Sequence, residues 1–384
     1  MMQAAAHTLN ADALGARVPL TSIEDDDQLA VMGGQQRRSL LERMPKWLIC
    51  IPLVVQWLLL ALRYRSLTLP SCANPSITSG GLVGEGKLEY FANMGPFALA
   101  STAPHCGLST HIKYTGAELR QIIKAAGLGF PLIAKPNLGL CGYGVRLLAN
   151  RSELLEYLAD FPANECVVLQ QWLPQEGEAG IFYAREPGAK SGQIIGLTLR
   201  YFPRVVGDGW RNTEALIALD ARAKRAGDSV RHRSKLSVSP AYIPKLGEVV
   251  RLATIGSTRV GGLYRDGAAF VTPQLSSAID DIAKDMNEFH FGRFDVRFDS
   301  LAELRAGVGL TIMEVNGAGS EAIQAWDPDT GVLAGFAMIF EKQRILFAIG
   351  DAMRRKGFKP IRLRVLAALN RRQNRLMGLY PPSN

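Results

Sequence analysis

Cysteine is scarce and unpaired in this chain of 384 residues. The five present, Cys50, Cys72, Cys106, Cys141 and Cys166, are odd in number and form no C-x-x-C pair. That argues against a disulfide framework and a zinc ribbon, and fits a reducing compartment. Histidine is equally sparse. His7, His105, His111, His232 and His290 show no H-x-x-x-H spacing, so a histidine-ligated metal would have to be assembled from distant segments. Internal repeats are lacking as well. The apolar run Trp47 to Leu62 falls short of the roughly 20 residues a bilayer core needs, and Pro52 and Gln56 weaken it further. Its internal position does not suit a secretory signal. Burial or interfacial docking is the expectation, with Lys46, Arg63, Arg65, Trp47 and Trp57 leaving peripheral membrane contact open.

Positive charge is present, but it is localised. The formal net charge is +9, and from Asp351 to Asn384 there are nine basic residues against the single acid Asp351. The remainder is nearly neutral, so no nucleic-acid partner is expected, and the basic segment reads as a solvated helical tail. It is interleaved with Ile361, Leu363, Val365, Leu366 and Leu369, a pattern that could also lie on an anionic membrane or bind RNA. At the other end, residues 1–44 carry Glu24, Asp25, Asp26 and Asp27 without sustained periodicity and read as a poorly ordered leader.

From Thr115 the pattern becomes regular. It predicts a helix over 116–126, strands over 131–134 and 145–148, a helix over 151–160 and a strand over 165–170. A hairpin is expected over 182–202 around Gly188 to Gly192, and an exposed excursion over 222–235. Strands follow at 294–298 and 310–315, then a helix over 331–353. The resulting fold class is α+β. Its expected divisions are a leader (1–44), a reduced N-terminal region with an apolar helix (45–114), a small lobe with a glycine-rich loop (115–178), a large lobe (179–350) and a basic helical tail (351–384).

Gly81-Leu-Val-Gly-Glu-Gly-Lys87-Leu88 resembles a P-loop but has leucine where a magnesium-binding hydroxyl is required, and no clear strand leads into it. A stronger signal is Ile133-Ala-Lys135-Pro136 followed by a loop containing Gly139, Gly142 and Gly144. Lysine supplies a point charge for phosphate oxygens, and glycines let backbone N–H groups approach an anion. A glycine-rich hairpin turn would show the same residues. Downstream, Arg293-Phe-Asp295 and Glu314-Val-Asn316 place Asp295 with Arg293, and Glu314 with Asn316, on common strand faces. Two carboxylates and an amide oxygen suit magnesium, a hard cation completed by substrate phosphates. An ion pair within a sheet is the alternative.

With phosphate loop and acidic strands in this order, the sequence resembles the ATP-grasp superfamily, especially its D-alanine–D-alanine ligase branch, over about residues 81–329. The resemblance implies two α+β lobes enclosing ATP. Lys135 and the loop to Gly144 would bind its phosphates, joined by Lys87 as the upstream lysine. Gln170, Gln171, Trp172 and Leu173 would form the hinge at adenine, and Glu178 would hold the ribose. Asp295, Glu314 and Asn316 would bind two Mg2+ ions, with Mn2+ as a substitute, and Arg293 would stabilise an anionic intermediate. Val205-Val206-Gly207-Asp208-Gly209 is similar to a further segment of such ligases, although a simple turn would read the same. The branch carries a fuller N-terminal substrate domain, and no match to its substrate residues is found here.

The implied activity is ADP-forming carboxylate–amine ligation through an acyl phosphate, on small-molecule carboxylate and amine substrates such as an amino acid or peptide, in the cytoplasm or at a membrane periphery. The alternatives are phosphotransfer without amide formation, and a membrane-peripheral nucleotide-binding protein.

Overall fold

The computed structural model describes residues 38–226 and 238–383. The acidic part of the expected leader and most of the expected excursion at 222–235 lie outside them. Two compact units are present: one comprises 38–201 with 263–383, and the other includes 202–262. The expected continuous lobe over 179–350 is therefore interrupted.

The first unit contains two antiparallel sheets. The smaller joins β1 (His105–Ser109), β2 (Leu132–Pro136), β3 (Arg146–Leu148) and β4 (Cys166–Gln171) in the order β1-β4-β2-β3. Its first strand precedes the boundary expected at 115. Helices α3 (Gly116–Ala125) and α4 (Arg151–Asp160) supply Leu119, Ile123, Leu154 and Tyr157 to a core with Leu132, Leu148, Val167 and Leu169. Burying each such large side chain contributes about 1.5–3 kcal/mol. Helix α3 begins where Thr115 and Glu118 form a reciprocal capping box.

The larger sheet has the order β11-β10-β5-β6-β9, from β5 (Gly177–Ala184), β6 (Gln193–Tyr201), β9 (Leu263–Asp266), β10 (Phe291–Phe298) and β11 (Leu310–Asn316). The expected hairpin is β5–β6. One face of the sheet, with Ile181, Phe294, Val296 and Val315, packs on Leu275, Ile279 and Ile282 of α6 (Pro273–Lys284) and Leu304 of α7 (Leu301–Ala306). The other face is charged along β10, because residues 293, 295 and 297 alternate with the core residues.

The apolar run forms α1 (Lys46–Tyr64), which lies along α8 (Val332–Arg355). Burial, the first expectation for this run, holds for one face only: Ile49, Leu60 and Ala61 are buried while most of its large apolar side chains are exposed. The basic tail forms α9 (Leu363–Met377), whose Leu376, together with Tyr380, enters the core of the four-stranded sheet. It is therefore partly a structural element, anchored by Leu376 while Leu363 and Val365 stay exposed.

In the second unit, β7 (Arg204–Val206) pairs with β8 (Val249–Arg251), and Val205 and Val250 pack with Leu216 and Ile217 of α5 (Thr213–Leu219). Asp208 accepts hydrogen bonds from the N–H groups of Trp210 and Arg211 at 3.1 and 2.8 Å. Its carboxylate thus stabilises a local turn. Arg222, expected at the edge of an exposed excursion, is buried and donates to the Gly262 carbonyl at 2.8 Å.

Candidate active site

Register decides which side chains meet. Arg293 lies opposite Asn316, and Asp295 opposite Glu314, so all four share one face of the β10–β11 pair. On the other side of β10, Arg297 lies opposite Glu178, and Asp295 opposite Gly180. A methyl group at Gly180 would stand 3.0 Å from Arg293 Cδ and 3.3 Å from Asp295 Oδ1, so glycine leaves room for the ion pair beside it.

That pair is bidentate: Arg293 Nε and Nη2 donate to Asp295 Oδ1 and Oδ2 at 2.6 and 3.0 Å. Arg200, from β6, stands 3.3 Å from Asp295 Oδ2, and Asn316 Nδ2 donates to the same oxygen at 3.2 Å. Burial pushes the Asp295 carboxyl up, but the Arg293 and Arg200 guanidiniums prevail and hold it below the usual carboxylate range. Arg200 also pairs with Glu178 Oε1 at 3.0 Å, and Arg297 Nη2 meets Glu178 Oε2 at 3.2 Å. Both oxygens of Glu178 are thus engaged by guanidiniums, that of Arg297 buried and that of Arg200 largely so. The ribose-binding role expected for it would require one of these contacts to give way.

The two lysines come from elsewhere. Lys135, at the end of β2, donates to Gln170 Oε1 at 2.7 Å and to the Met313 carbonyl at 3.0 Å. The carbonyl is available because the β10–β11 register shifts beside Asp295, leaving Met313 as the extra residue of a bulge. Burial lowers the Lys135 ammonium to about 8, partly offset by Glu314. Lys87 opens the short helix α2 (Lys87–Ala92), and its main-chain N–H donates to the Asn137 carbonyl at 3.0 Å. Its Nζ stands 3.3 Å from Glu314 Oε1 and 3.5 Å from the Gly139 carbonyl. The P-loop reading fails in the structure too, since Thr78–Gly81 is a 3-10 turn.

Gly142 and Gly144 have φ of +73° and +71°, which L side chains rarely adopt. Gln170 is buried, with its Nε2 left without a partner, while Gln171 Oε1 accepts from the Gly129 N–H at 3.0 Å. Trp172 and Leu173 follow, half-buried, at the strand end.

Sequence reasoning did not assign roles to four further groups. Arg200 and Arg297 complete the ion network, and the alternation of 293, 295 and 297 could have flagged the latter. Burial pushes the Glu85 carboxyl up to about 7, and its Oε2 has no partner. Lys342 of α8 is lowered to about 7 by burial, against the attraction of Glu321. Nothing local in the sequence marks either, because their setting is made by distant segments.

The donor set can be tested against the metal the resemblance implies. Among the described residues no group of three His, Cys, Asp or Glu side chains could hold an ion. Asp295 is engaged by two guanidiniums, while Glu314 has a lysine at one oxygen and Asn316 uses only its amide nitrogen. Oxygen donors of this type fit a hard divalent cation whose remaining ligands are phosphates and water, with Glu314 and Asn316 the more available.

No protein-family model and no curated protein matches the chain. Among solved structures it is similar to a bifunctional glutathione synthetase from Pasteurella multocida, at 14% identity and a TM-score of 0.34, covering 64% of this chain and 35% of that one. It is also similar to a D-alanine–D-alanine ligase from Bacillus anthracis, at 14% identity and a TM-score of 0.36, covering 68% and 67%. The chain thus spans about a third of the first protein's length. Likenesses at this level carry no argument about activity, which rests on the site itself: two lysines converge from outside the large sheet on its charged face.

Proposed function

We propose that the chain is an ATP-dependent carboxylate–amine ligase, ADP-forming and magnesium-dependent, acting on an amino acid or peptide. The observation that carries this reading is the meeting of Lys87 and Lys135 with Glu314, Asp295 and Arg293 at one face of the large sheet. Two buried ammonium groups and a largely buried guanidinium beside oxygen donors suit a polyphosphate and a second anion. The resemblance in motif order supports ATP as that polyphosphate.

In this reading Lys87 and Lys135 hold phosphate oxygens, with Lys135 still largely protonated at neutral pH. Gln170 orients Lys135 and keeps a free amide N–H for the nucleotide. Magnesium, held by Glu314 and Asn316 with Asp295 beside them, would supply charge neutralisation. The substrate carboxylate attacks the γ-phosphorus, breaking the bond to the ADP oxygen. The amine then attacks the acyl carbon, releasing phosphate and a proton. Arg293 stabilises the anionic centre, a type of contact that lowers the barrier by on the order of 3 kcal/mol. The loop from Asn137 to Gly144 would keep water away from the acyl phosphate.

The test is ADP and phosphate release by the purified chain with Mg-ATP against a panel of amino acids, dipeptides and amines, with mass spectrometry of products. Release that requires one carboxylate and one amine, and yields their condensed mass, is expected. Release that needs no amine would replace ligation by phosphotransfer.

A further inference from the structure

The outward face of α1 is its apolar one. Eight large apolar side chains, at positions 47, 48, 51, 54, 55, 58, 59 and 62, are each between 39% and 75% exposed. This spacing is one continuous stripe of a 3.6-residue helix, about 22 Å long at 1.5 Å per residue. The polar business of the helix is turned inward. Gln56 Nε2 donates to the Phe340 carbonyl at 2.7 Å, Gln343 Nε2 donates to the Leu53 carbonyl at 3.3 Å, and Arg354 donates to the Tyr64 carbonyl at 2.8 Å. Trp57 stands edge-on to Phe347 at 4.9 Å. Helix α1 is thus bound lengthwise to α8, with an apolar strip facing away. A contiguous patch of this kind marks an interaction surface.

The charge around the strip identifies its partner. No acidic residue occurs between Glu42 and Glu85. Arg43 and Lys46 stand at one end of α1, and Arg63 and Arg65 at the other. The Arg354 contact brings the end of α8 to that second end, where Arg355, Lys356 and Lys359 are exposed. The acid there, Asp351, is buried and paired with Arg354 and Arg355. A second copy laid on this face would bring basic ends against basic ends.

We propose that α1 lies flat in the headgroup region of a membrane containing anionic lipid. Its apolar stripe enters the acyl boundary, and the basic residues at its two ends meet lipid phosphates. Contrary to the expectation from the run's length, the 19-residue helix is long and apolar enough to cross a membrane, but α8 runs beside it with Glu341 and Arg344 exposed at mid-length, which favours a helix lying flat. This inference is independent of the ligase reading.

The experiment is co-sedimentation of the full chain with vesicles of phosphatidylcholine alone or mixed with phosphatidylglycerol. Binding to the mixed vesicles is expected, with a blue shift of tryptophan emission that Trp47→Phe removes. The double substitution Leu58→Glu with Leu62→Glu should weaken binding on the order of tenfold or more while leaving Tm unchanged, because both positions are exposed. Arg63→Ala with Arg65→Ala should weaken binding to the mixed vesicles only. The proposal is overturned by absence of binding, or by binding indifferent to the glutamate pair. It is equally overturned by a solution dimer that the pair dissociates, by binding that appears only when residues 1–37 are removed, or by resistance to alkaline extraction, which would mean a span.

Discussion

Lys135 Nζ stands 3.0 Å from the main-chain oxygen of Met313, so the four-stranded sheet meets the five-stranded one at the bulge in β11. The bulge frees a carbonyl, and the carbonyl helps seat an ammonium whose burial lowers it to about 8. The Lys135 ammonium is thereby held beside the acidic strands by an amide oxygen and a main-chain carbonyl.

Lys135→Met should lower kcat/KM for ATP by about a hundredfold, the scale of one transition-state contact, with the fold retained by circular dichroism. In the native chain this lysine is charged below about pH 8 and neutral above it. The KM for ATP should therefore rise as pH passes 8, and the methionine variant should lack that limb. A flat profile in the native chain would remove Lys135 from the phosphate site.

Asp295→Asn and Glu314→Gln should both abolish turnover, yet differ in stability. Removing the Asp295 charge leaves the largely buried Arg293 and Arg200 without their shared partner, at a cost of about 3–5 kcal/mol. Glu314 pairs with Lys87 and is more exposed, so its variant should unfold near the native midpoint in urea. Retained activity in both would refute the metal assignment.

Glu178→Gln separates a structural role from a nucleotide role. With both oxygens engaged by Arg200 and Arg297, the variant should lose about 3–5 kcal/mol in chemical denaturation. Native stability with a raised KM for ATP would instead favour the ribose contact.

Glu85 provides a pH-dependent stability signature. Its folded value of about 7 lies above an ordinary glutamate's value of about 4.3, so the folded state holds the proton more tightly. Its contribution is complete below pH 4 and lost as pH rises through 7. Glu85→Gln should therefore gain Tm relative to the native chain from pH 4 to pH 8. A constant difference across that range would contradict the burial.

Tyr380 donates its hydroxyl to the Leu138 carbonyl at the start of the glycine-rich loop. Tyr380→Phe should cost about 1 kcal/mol and speed proteolytic cleavage within 137–144. Gly144→Ala should be worse, since φ is +71° and the added methyl would stand 2.8 Å from Pro136 Cγ. Cleavage rates equal to the native chain in both would detach the tail from the loop.

Much of the architecture was legible because periodicity is local. The helix at Arg151–Asp160 follows from its apolar spacing, although its cap proved to be Asn150, and the strands carrying Arg293, Asp295, Glu314 and Asn316 follow from alternation. Motif order brought Lys135 forward as well. Glu178 was expected to hold a ribose, and its pairing with two arginines was not legible, since that depends on the β5–β10 register and on β6 folding back. The outward face of α1 was not legible, since an apolar run looks the same whether its neighbours cover all of it or one side.

What the sequence by itself determined is therefore the elements with a clear period, such as α4, β10 and β11, and the chemistry of each side chain, because hydrogen bonding within four residues and burial at periods of 2 and 3.6 are properties of contiguous chain. Only the tertiary structure decided which charges neutralise one another, that Met313 offers its carbonyl to Lys135, and that an apolar stripe faces outward. Those depend on residues tens to hundreds of positions apart, whose juxtaposition is set by sheet register and helix packing rather than by any local pattern.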